Sequence, residues 1–359
     1  MCKEKSSFSI GIVFMLVVAL FFSSRVMAKS IELKISSYEP EQSYLIQNIY
    51  LPYCAEIEKR TNGRVTFKWY HSGSLVKAPQ TYKALLNGLV DVVASVGIWT
   101  QENQFPVNQV FTLPFLFDNS HQVDLTYLKA VETIPELQKE YSKIKMLGFH
   151  GTDLANISTN VAPPKTMADM KGLKLWGGSR TSVLLIQQLG GTPRNVRLTD
   201  LYMSLQKRAI DGVVFPTSPL AAYKLTDVLS NHCIVKSTLG LIPFAMSLKT
   251  WNKLPPEVQK VFEEMKPSVT SLLGAVVDNR RDYLLKQLKK RGDNIYYLPE
   301  TERARWRKKS QPIYDQWLKL MKSKGVDGQA VLDKVRAIAA EMKNAPVTEA
   351  QWWGSDWKK

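Results

Sequence analysis

The chain has 359 residues, of which 45% are hydrophobic and 22% charged, and it carries a formal net charge of +16. This composition excludes an intrinsically disordered chain, and the length allows two lobes of ordinary size, each with its own core. Basic residues are interleaved with acidic ones along the predicted helices, which favours solvated helix faces over a nucleic-acid-binding surface.

The N-terminus is typical of a secretory signal peptide. Lys3 and Lys5 precede an apolar run at residues 8–22, and small residues follow up to Ala28. We predict that residues 1–28 are removed by cleavage and that the mature protein is periplasmic. An uncleaved membrane anchor is the alternative interpretation.

Strands and helices alternate through the first part of the mature chain, which is typical of an α/β lobe. In chain order the predicted elements are an edge strand at 31–36, an amphipathic helix at 42–60 with a kink at Pro52, a strand at 65–70, a helix near 80–86, a buried strand at 89–96, helices near 120–130 and 135–142, and a strand at 145–149.

A second α/β unit follows at residues 169–216. It contains predicted strands at 173–176 and 210–215, with helices at 181–189 and 200–208 between them. Ligands of mostly parallel sheets bind beyond the carboxyl ends of the strands. We therefore expect the residues just after these two strands to border a ligand.

The last third of the chain is predicted to connect the two units. A strand at 241–248 returns to the first lobe, and a helical pattern then runs from Pro255-Pro256 to about Arg291, with Pro267 expected to kink or interrupt it. A helix of that length cannot fit inside one lobe, so we expect it to bridge both. The predicted domains are lobe I at residues 29–151 plus 240–266, lobe II at 152–239 plus 267–345, and a C-terminal tail at 346–359.

No motif for catalysis is evident in the sequence. There is no nucleophile elbow, Walker loop or dinucleotide fingerprint, and the four histidines have no metal-site spacing. Cys54 and Cys233 could pair in an oxidising compartment, but nothing in the sequence shows that they meet. We predict no enzyme, no metal and no cofactor, and instead the capture of a small molecule by closure of two lobes.

Six short segments together resemble a known family. They are TNGRV at 61–65, SGSL at 72–75, GLVD at 88–91, LPF at 113–115, the stretch 169–216 and WNKLP at 251–255. Their order and spacing are similar to those of the periplasmic solute-binding subunits of TRAP transporters, the DctP type. The resemblance implies a two-lobed periplasmic binding protein fold of the α/β class, with a long bridging helix and a ligand cleft between the lobes. It also implies delivery of the solute to a membrane permease driven by an ion gradient.

The sequence departs from this family where the ligand should bind. The family grips a carboxylate with the arginine of G-L-K-[IL]-R, and this chain has Trp176 there; the family asparagine before a proline is replaced by Phe215. The resemblance also places Tyr38, Val96 and Ile242 at ligand-contacting positions. Trp99 is a further candidate for an aromatic wall.

An organic acid still needs a cation when the family arginine is absent. Arg180 is the first candidate, because it begins a helix whose positive end would help, and Arg194 and Arg197 follow on the next loop. The resulting hypothesis is a monomer that binds an aromatic or otherwise hydrophobic organic acid and hands it to TRAP permease subunits. A secreted enzyme in the same cleft and a ligand-sensing subunit are the alternatives.

Overall fold

A computed structural model describes residues 30–100 and 102–348 of the chain. The predicted signal peptide and the end of the C-terminal tail lie outside the described residues. In chain order the strands are β1 (Ile31–Ser36), β2 (Val65–Tyr70), β3 (Val92–Val93), β4 (Ile144–Gly151), β5 (Asn156–Thr159), β6 (Lys174–Gly177), β7 (Thr192–Pro193), β8 (Gly212–Phe215), β9 (Asn231–Ile234), β10 (Leu241–Ser247) and β11 (Asn294–Tyr297).

These strands form two separate sheets, one for each lobe. The first has the order β2-β1-β3-β10-β4, and the second has the order β11-β9-β5-β8-β6-β7. In the first sheet β1 pairs in parallel with β2 and β3, while β10 runs antiparallel to β3 and β4. The return of β10 to the first sheet confirms the prediction for residues 241–248.

The prediction that residues 31–36 form an edge strand is wrong. β1 lies between β2 and β3, with hydrogen-bonded neighbours on both sides. Its alternation arises because Leu33 and Ile35 are buried while Glu32 is exposed. A period of two in the sequence reports one solvated face of a strand and carries no information about its hydrogen-bonding edges.

The helices cover the faces of both sheets. They are α1 (Leu51–Arg60), α2 (Thr81–Asn87), α3 (Ser120–Thr133), α4 (Pro135–Tyr141), α5 (Arg180–Gln188), α6 (Leu201–Gln206), α7 (Leu248–Trp251), α8 (Pro256–Arg291), α9 (Glu300–Lys309), α10 (Gln311–Ser323) and α11 (Gly328–Met342). None of the helices in the described ranges is both long and apolar enough to cross a bilayer.

The helix α8 spans 36 residues and joins the two lobes, as predicted. Near its start Phe262 packs in the core beside the first sheet, and near its end Leu284 and Leu288 pack in the cluster that contains Trp176. Gly292 ends the helix in the left-handed conformation, with φ +101. Anchored in two cores, the helix can keep the lobes attached while they move.

Pro267 was expected to kink or interrupt α8. An interruption is wrong, because the helix continues through this residue, and the kink stays a prediction. A proline inside a helix loses one backbone hydrogen bond and crowds the preceding turn. Beyond Pro267, Val269, Leu272, Leu273 and Val276 are fully buried in the core of the first lobe. The free energy gained by burying these side chains offsets the backbone hydrogen bond that Pro267 removes from the helix.

The last helix, α11, packs against α3 on the side of the first sheet. The side-chain amide of Gln122 donates to the carbonyl oxygen of Ala339 at 2.8 Å, and the backbone N–H of Thr348 donates to the Ser271 hydroxyl at 2.9 Å. The C-terminal segment therefore contacts elements from the predicted lobe I as well as from lobe II. The predicted residue boundaries between the lobes stay a prediction.

Candidate functional site: the cleft between the sheets

The candidate site lies where the carboxyl ends of parallel strands from the two sheets approach each other. Tyr38 and Glu39 follow β1, and Ser95 follows β3, its neighbour in the sheet. In the second sheet Trp176 is on β6 and Phe215 ends β8, and these strands also pair in parallel. This is the edge at which open α/β sheets bind their ligands.

Each lobe has an aromatic pair near these strand ends. In the first lobe, the rings of Tyr38 and Trp99 meet edge to face, with centroids 5.5 Å apart. In the second lobe, Trp176 and Phe215 meet in the same way at 5.3 Å, and the Tyr223 ring lies 6.2 Å from that of Phe215. Edge-to-face contacts of this kind are favourable and leave ring faces available to a flat apolar ligand.

The position of Trp176 is fixed by its polar atom. Its indole N–H donates to the carbonyl oxygen of Val196 at 2.9 Å, and the side chain is 8% exposed. A Cβ atom at Gly178 would lie 3.1 Å from the Phe215 ring and 3.4 Å from the Trp176 ring, so glycine allows both rings to approach this turn. Trp176 is thus a core residue at the end of β6, packed against Phe215, and its role in binding stays a prediction.

A narrow apolar cavity runs between the lobes. Its lining includes Trp99, Glu102 and Thr112 from the first part of the chain, and Ser179 and Leu241. Its volume is about 30 Å³, which is space for about one water molecule and far less than a small-molecule pocket requires. In this closed arrangement the cavity has no room for a small-molecule ligand.

The first turn of α5 forms the contact across the cleft. The Ser179 hydroxyl caps the helix by accepting the backbone N–H of Ser182 at 3.1 Å. One residue on, the backbone N–H and the charge of the exposed Arg180 both interact favourably with the Glu102 carboxylate. The hydroxyl oxygens of Thr112 and Thr181 lie 3.1 Å apart beside this contact. A carboxylate from the protein itself therefore occupies the positive end of this helix.

Burial shifts the pKa of Glu102 upward, and the hydrogen bond from the Arg180 backbone and the Arg180 charge oppose this shift. The carboxylate is thus held in a partly desolvated place by contacts from the other lobe. Sequence reasoning found Arg180 but missed Glu102. No local pattern marks Glu102, because its partner lies 78 residues further along the chain.

A second acid of the cleft, Glu39, was also missed. One of its carboxylate oxygens accepts the Ser95 hydroxyl at 2.9 Å, and the other accepts the hydroxyl of Ser43. Burial raises the pKa of Glu39, against the effect of these two hydroxyls. The available signal was its position three residues after the end of a parallel strand.

Of the predicted site residues that the structure describes, Trp99 lines the cavity, whereas Tyr38, Trp176, Arg180 and Phe215 lie outside its lining, as do the three that follow. Val96 is fully buried and its backbone N–H donates to the Pro243 carbonyl oxygen at 2.8 Å. Ile242 is 8% exposed on β10, opposite His150 of β4. Arg197 is exposed, and it precedes a short turn at Leu198–Asp200. Their roles in binding stay predictions.

Ser158, His232 and Asp293 form a chain of hydrogen bonds that superficially resembles a catalytic triad. The Ser158 hydroxyl lies 2.8 Å from His232 Nδ1, and His232 Nε2 lies 3.0 Å from an Asp293 carboxylate oxygen. Ser158 and His232 are each 1% exposed, so no substrate can reach the hydroxyl. The chain ties β5, β9 and the end of α8 together, which is a structural role.

The described residues contain no group of histidine, cysteine, aspartate or glutamate side chains suited to hold a metal ion. Cys54 and Cys233 are both buried and free, so they do not form a disulfide with each other.

Comparisons with known proteins all point to the same family. The model of bacterial extracellular solute-binding protein family 7, DctP, matches residues 35–320. The C4-dicarboxylate-binding periplasmic protein DctP of Rhodobacter capsulatus is 25% identical over 289 residues, which cover 79% of this chain and 84% of that protein.

Solved structures of TRAP solute-binding proteins share the fold. One from Rhodoferax ferrireducens, in complex with copurified benzoate, has a TM-score of 0.80 at 24% identity and covers 87% of this chain and 98% of that chain. Another, from a marine metagenome and described as specific for aromatic acid ligands, contains 3-hydroxybenzoate. It has a TM-score of 0.79 at 23% identity, covering 88% of this chain and 100% of that chain.

Proposed function

We propose that this chain, which belongs to family 7 of the bacterial extracellular solute-binding proteins, captures an aromatic or hydrophobic organic acid between its lobes. It is a solute-binding protein of a TRAP-type transporter and not an enzyme. The nature of the ligand, the periplasmic location, the monomeric state and the permease that receives the solute are parts of the proposal.

We infer the ligand class mainly from the pair of rings formed by Trp176 and Phe215. These rings are 5.3 Å apart at the carboxyl ends of adjacent strands, at the two positions where the family resemblance implies an arginine and an asparagine. Tyr38 and Trp99 add a second aromatic wall from the other lobe. Rings on both sides of a cleft favour a ligand whose middle part is flat and apolar.

The carboxylate of such a ligand has a place at the first turn of α5. Glu102 shows that a carboxylate is favoured there, since it interacts with both the backbone N–H and the charge of Arg180. A ligand acid that takes this place, while Glu102 turns away, gains the same hydrogen bond and the positive end of the helix. Arg180 thus replaces the family arginine in this proposal.

A small dicarboxylate suits the cleft less well, although the relative from Rhodobacter capsulatus is named for C4-dicarboxylates. A second ligand carboxylate would require a second cation. The cleft instead contains the acids Glu39 and Glu102. Like charges in a partly desolvated site oppose binding, so one acid group is the better fit.

Binding of benzoate and succinate to the mature chain, measured by calorimetry, tests the proposal. We expect benzoate to bind and succinate to bind much more weakly. Phe215→Ala should weaken benzoate binding about tenfold through the loss of one ring contact. Phe67→Ala is the matched control, because Phe67 is also a half-buried strand residue but lies on the edge strand β2. Tight succinate binding without benzoate binding would overturn the aromatic assignment.

A further inference from the structure

Glu39 is an acid in the cleft that the capture of an organic acid does not require. It follows β1 at the carboxyl edge of the first sheet, beside Ser95 at the end of β3. Burial raises the pKa of Tyr223, and the negative charge of Glu39 adds to this effect. Tyr223 belongs to the second lobe and its ring lies 6.2 Å from that of Phe215, so Glu39 acts electrostatically on a residue of the other lobe.

No lysine, arginine or histidine pairs with Glu39 in the part of the chain that the structure describes. Its side-chain partners are the hydroxyls of Ser43 and Ser95, one for each oxygen. A carboxylate can accept about four hydrogen bonds, so this arrangement leaves room for about two more. The two serines hold the carboxylate in position and leave it able to accept a further donor.

The Tyr38–Trp99 pair connects Glu39 with the first turn of α5. Tyr38, the residue before Glu39, meets Trp99 edge to face at 5.5 Å. Trp99 in turn lines the cavity together with Glu102 and Ser179, at the turn where Arg180 begins α5. A ring packed along this pair with its carboxylate at α5 directs its far edge toward Glu39.

On the basis of the function proposed above, we propose that Glu39 accepts a hydrogen bond from a donor group on the far edge of the ligand ring. The preferred ligands are then aromatic acids that carry a hydroxyl or amino group away from the carboxylate. Such a donor would restore the solvation that Glu39 loses on closure, whereas an unsubstituted ring leaves the buried acid without this compensation. The raised pKa of Glu39 in the closed, ligand-free state is consistent with this desolvation.

Calorimetry with benzoate, 3-hydroxybenzoate and 4-hydroxybenzoate tests the inference on the mature chain. We expect at least one hydroxybenzoate to bind about tenfold more tightly than benzoate, as a charge-assisted hydrogen bond predicts. Glu39→Gln should reduce this preference to about twofold or less. Glu41→Gln makes the same change of charge at an exposed position two residues away and should preserve the preference.

The outcomes separate the inference from the proposed function. Equal affinities for benzoate and both hydroxybenzoates, or a preference unchanged in Glu39→Gln, overturn the role of Glu39 and leave the proposed function standing. Failure of every aromatic acid to bind overturns the proposed function and this inference with it. If Glu39→Gln does not fold, Ser95→Ala removes only the hydroxyl on one carboxylate oxygen and should reduce the preference by a smaller factor.

Discussion

The indole N–H of Trp176 donates to the carbonyl oxygen of Val196 at 2.9 Å, which leaves only the apolar part of the indole for the cleft. We therefore expect Trp176→Phe to destabilise the protein by about 1–3 kcal/mol, because the Val196 carbonyl loses its donor and the smaller ring fills less of the core. Binding of an aromatic acid should weaken by no more than about threefold, since a ring still meets Phe215. Urea unfolding and calorimetry measure the two effects. A variant of unchanged stability that no longer binds would show instead that the indole N–H contacts the ligand.

The contact between Glu102 and the first turn of α5 predicts a competition that depends on pH. The pKa of Glu102 is raised by burial above its usual 4.5, so its carboxylate ionises over a pH range above that of a free glutamate. An ionised Glu102 competes with the ligand carboxylate for the Arg180 N–H. Affinity for an aromatic acid should therefore fall as the pH rises through this range.

Glu102→Gln should remove that dependence and increase affinity at neutral pH by about two- to fivefold, the usual size of a charge effect at a helix end. Calorimetry at several pH values above the pKa of the ligand itself would measure it. The same pH dependence in the variant as in the natural chain would contradict the competition.

Arg180 and Arg197 are both exposed arginines, yet only Arg180 is next to an acid in the cleft. We expect Arg180→Gln to weaken the binding of an aromatic acid about tenfold, by loss of one charged partner. Arg197→Gln is the matched control and should change affinity less than about twofold. The difference should decrease at high salt, because exposed charges are screened. A larger loss of affinity in Arg197→Gln than in Arg180→Gln would mean that Arg197, on the loop after β7, is the cation that binds the ligand.

Sequence patterns predicted most of the architecture, because those patterns are local. The period of the apolar residues marked the strands, and the proline pair and Gly292 marked both ends of α8. The structural features that were predicted wrongly depend on distant parts of the chain. The neighbours of β1 in the sheet and the continuity of α8 past Pro267 follow from pairing and burial that no short window contains.

The candidate site was predicted in part, for the same reason. The family resemblance drew attention to Trp176 and Phe215, and the structure brings these two rings together. The acids Glu39 and Glu102 were missed, since Glu39 meets Ser95, which is 56 residues away, and Glu102 meets a helix in the other lobe. Glu102 has no sequence signature, so only the fold could place it, whereas the position of Glu39 just after the end of β1 was a signal in the sequence.

The burial of His150 leads us to predict how the stability of the folded protein depends on pH. It is 1% exposed on β4, and in the described part of the chain its Nε2 atom has no hydrogen-bond partner. Burial lowers its pKa from 6.5 to about 4, so the folded state favours the neutral ring more than the unfolded state does. The contribution of the neutral His150 ring to the free energy of unfolding is fully present above pH 6.5 and is lost as the pH falls toward 4.

Between about pH 7 and about pH 5 the loss attributable to His150 should approach about 2 kcal/mol. Burial also raises the pKa of Glu140 to about 7, which acts in the opposite direction because a folded state that holds a proton gains stability as the pH falls. The measurement must therefore compare His150→Gln with the natural chain at each pH by urea unfolding, so that the contribution of Glu140 cancels. We expect the natural chain to lose more stability than His150→Gln over this range. Equal losses would mean that the imidazole of His150 is protonated in the folded protein or is solvated there.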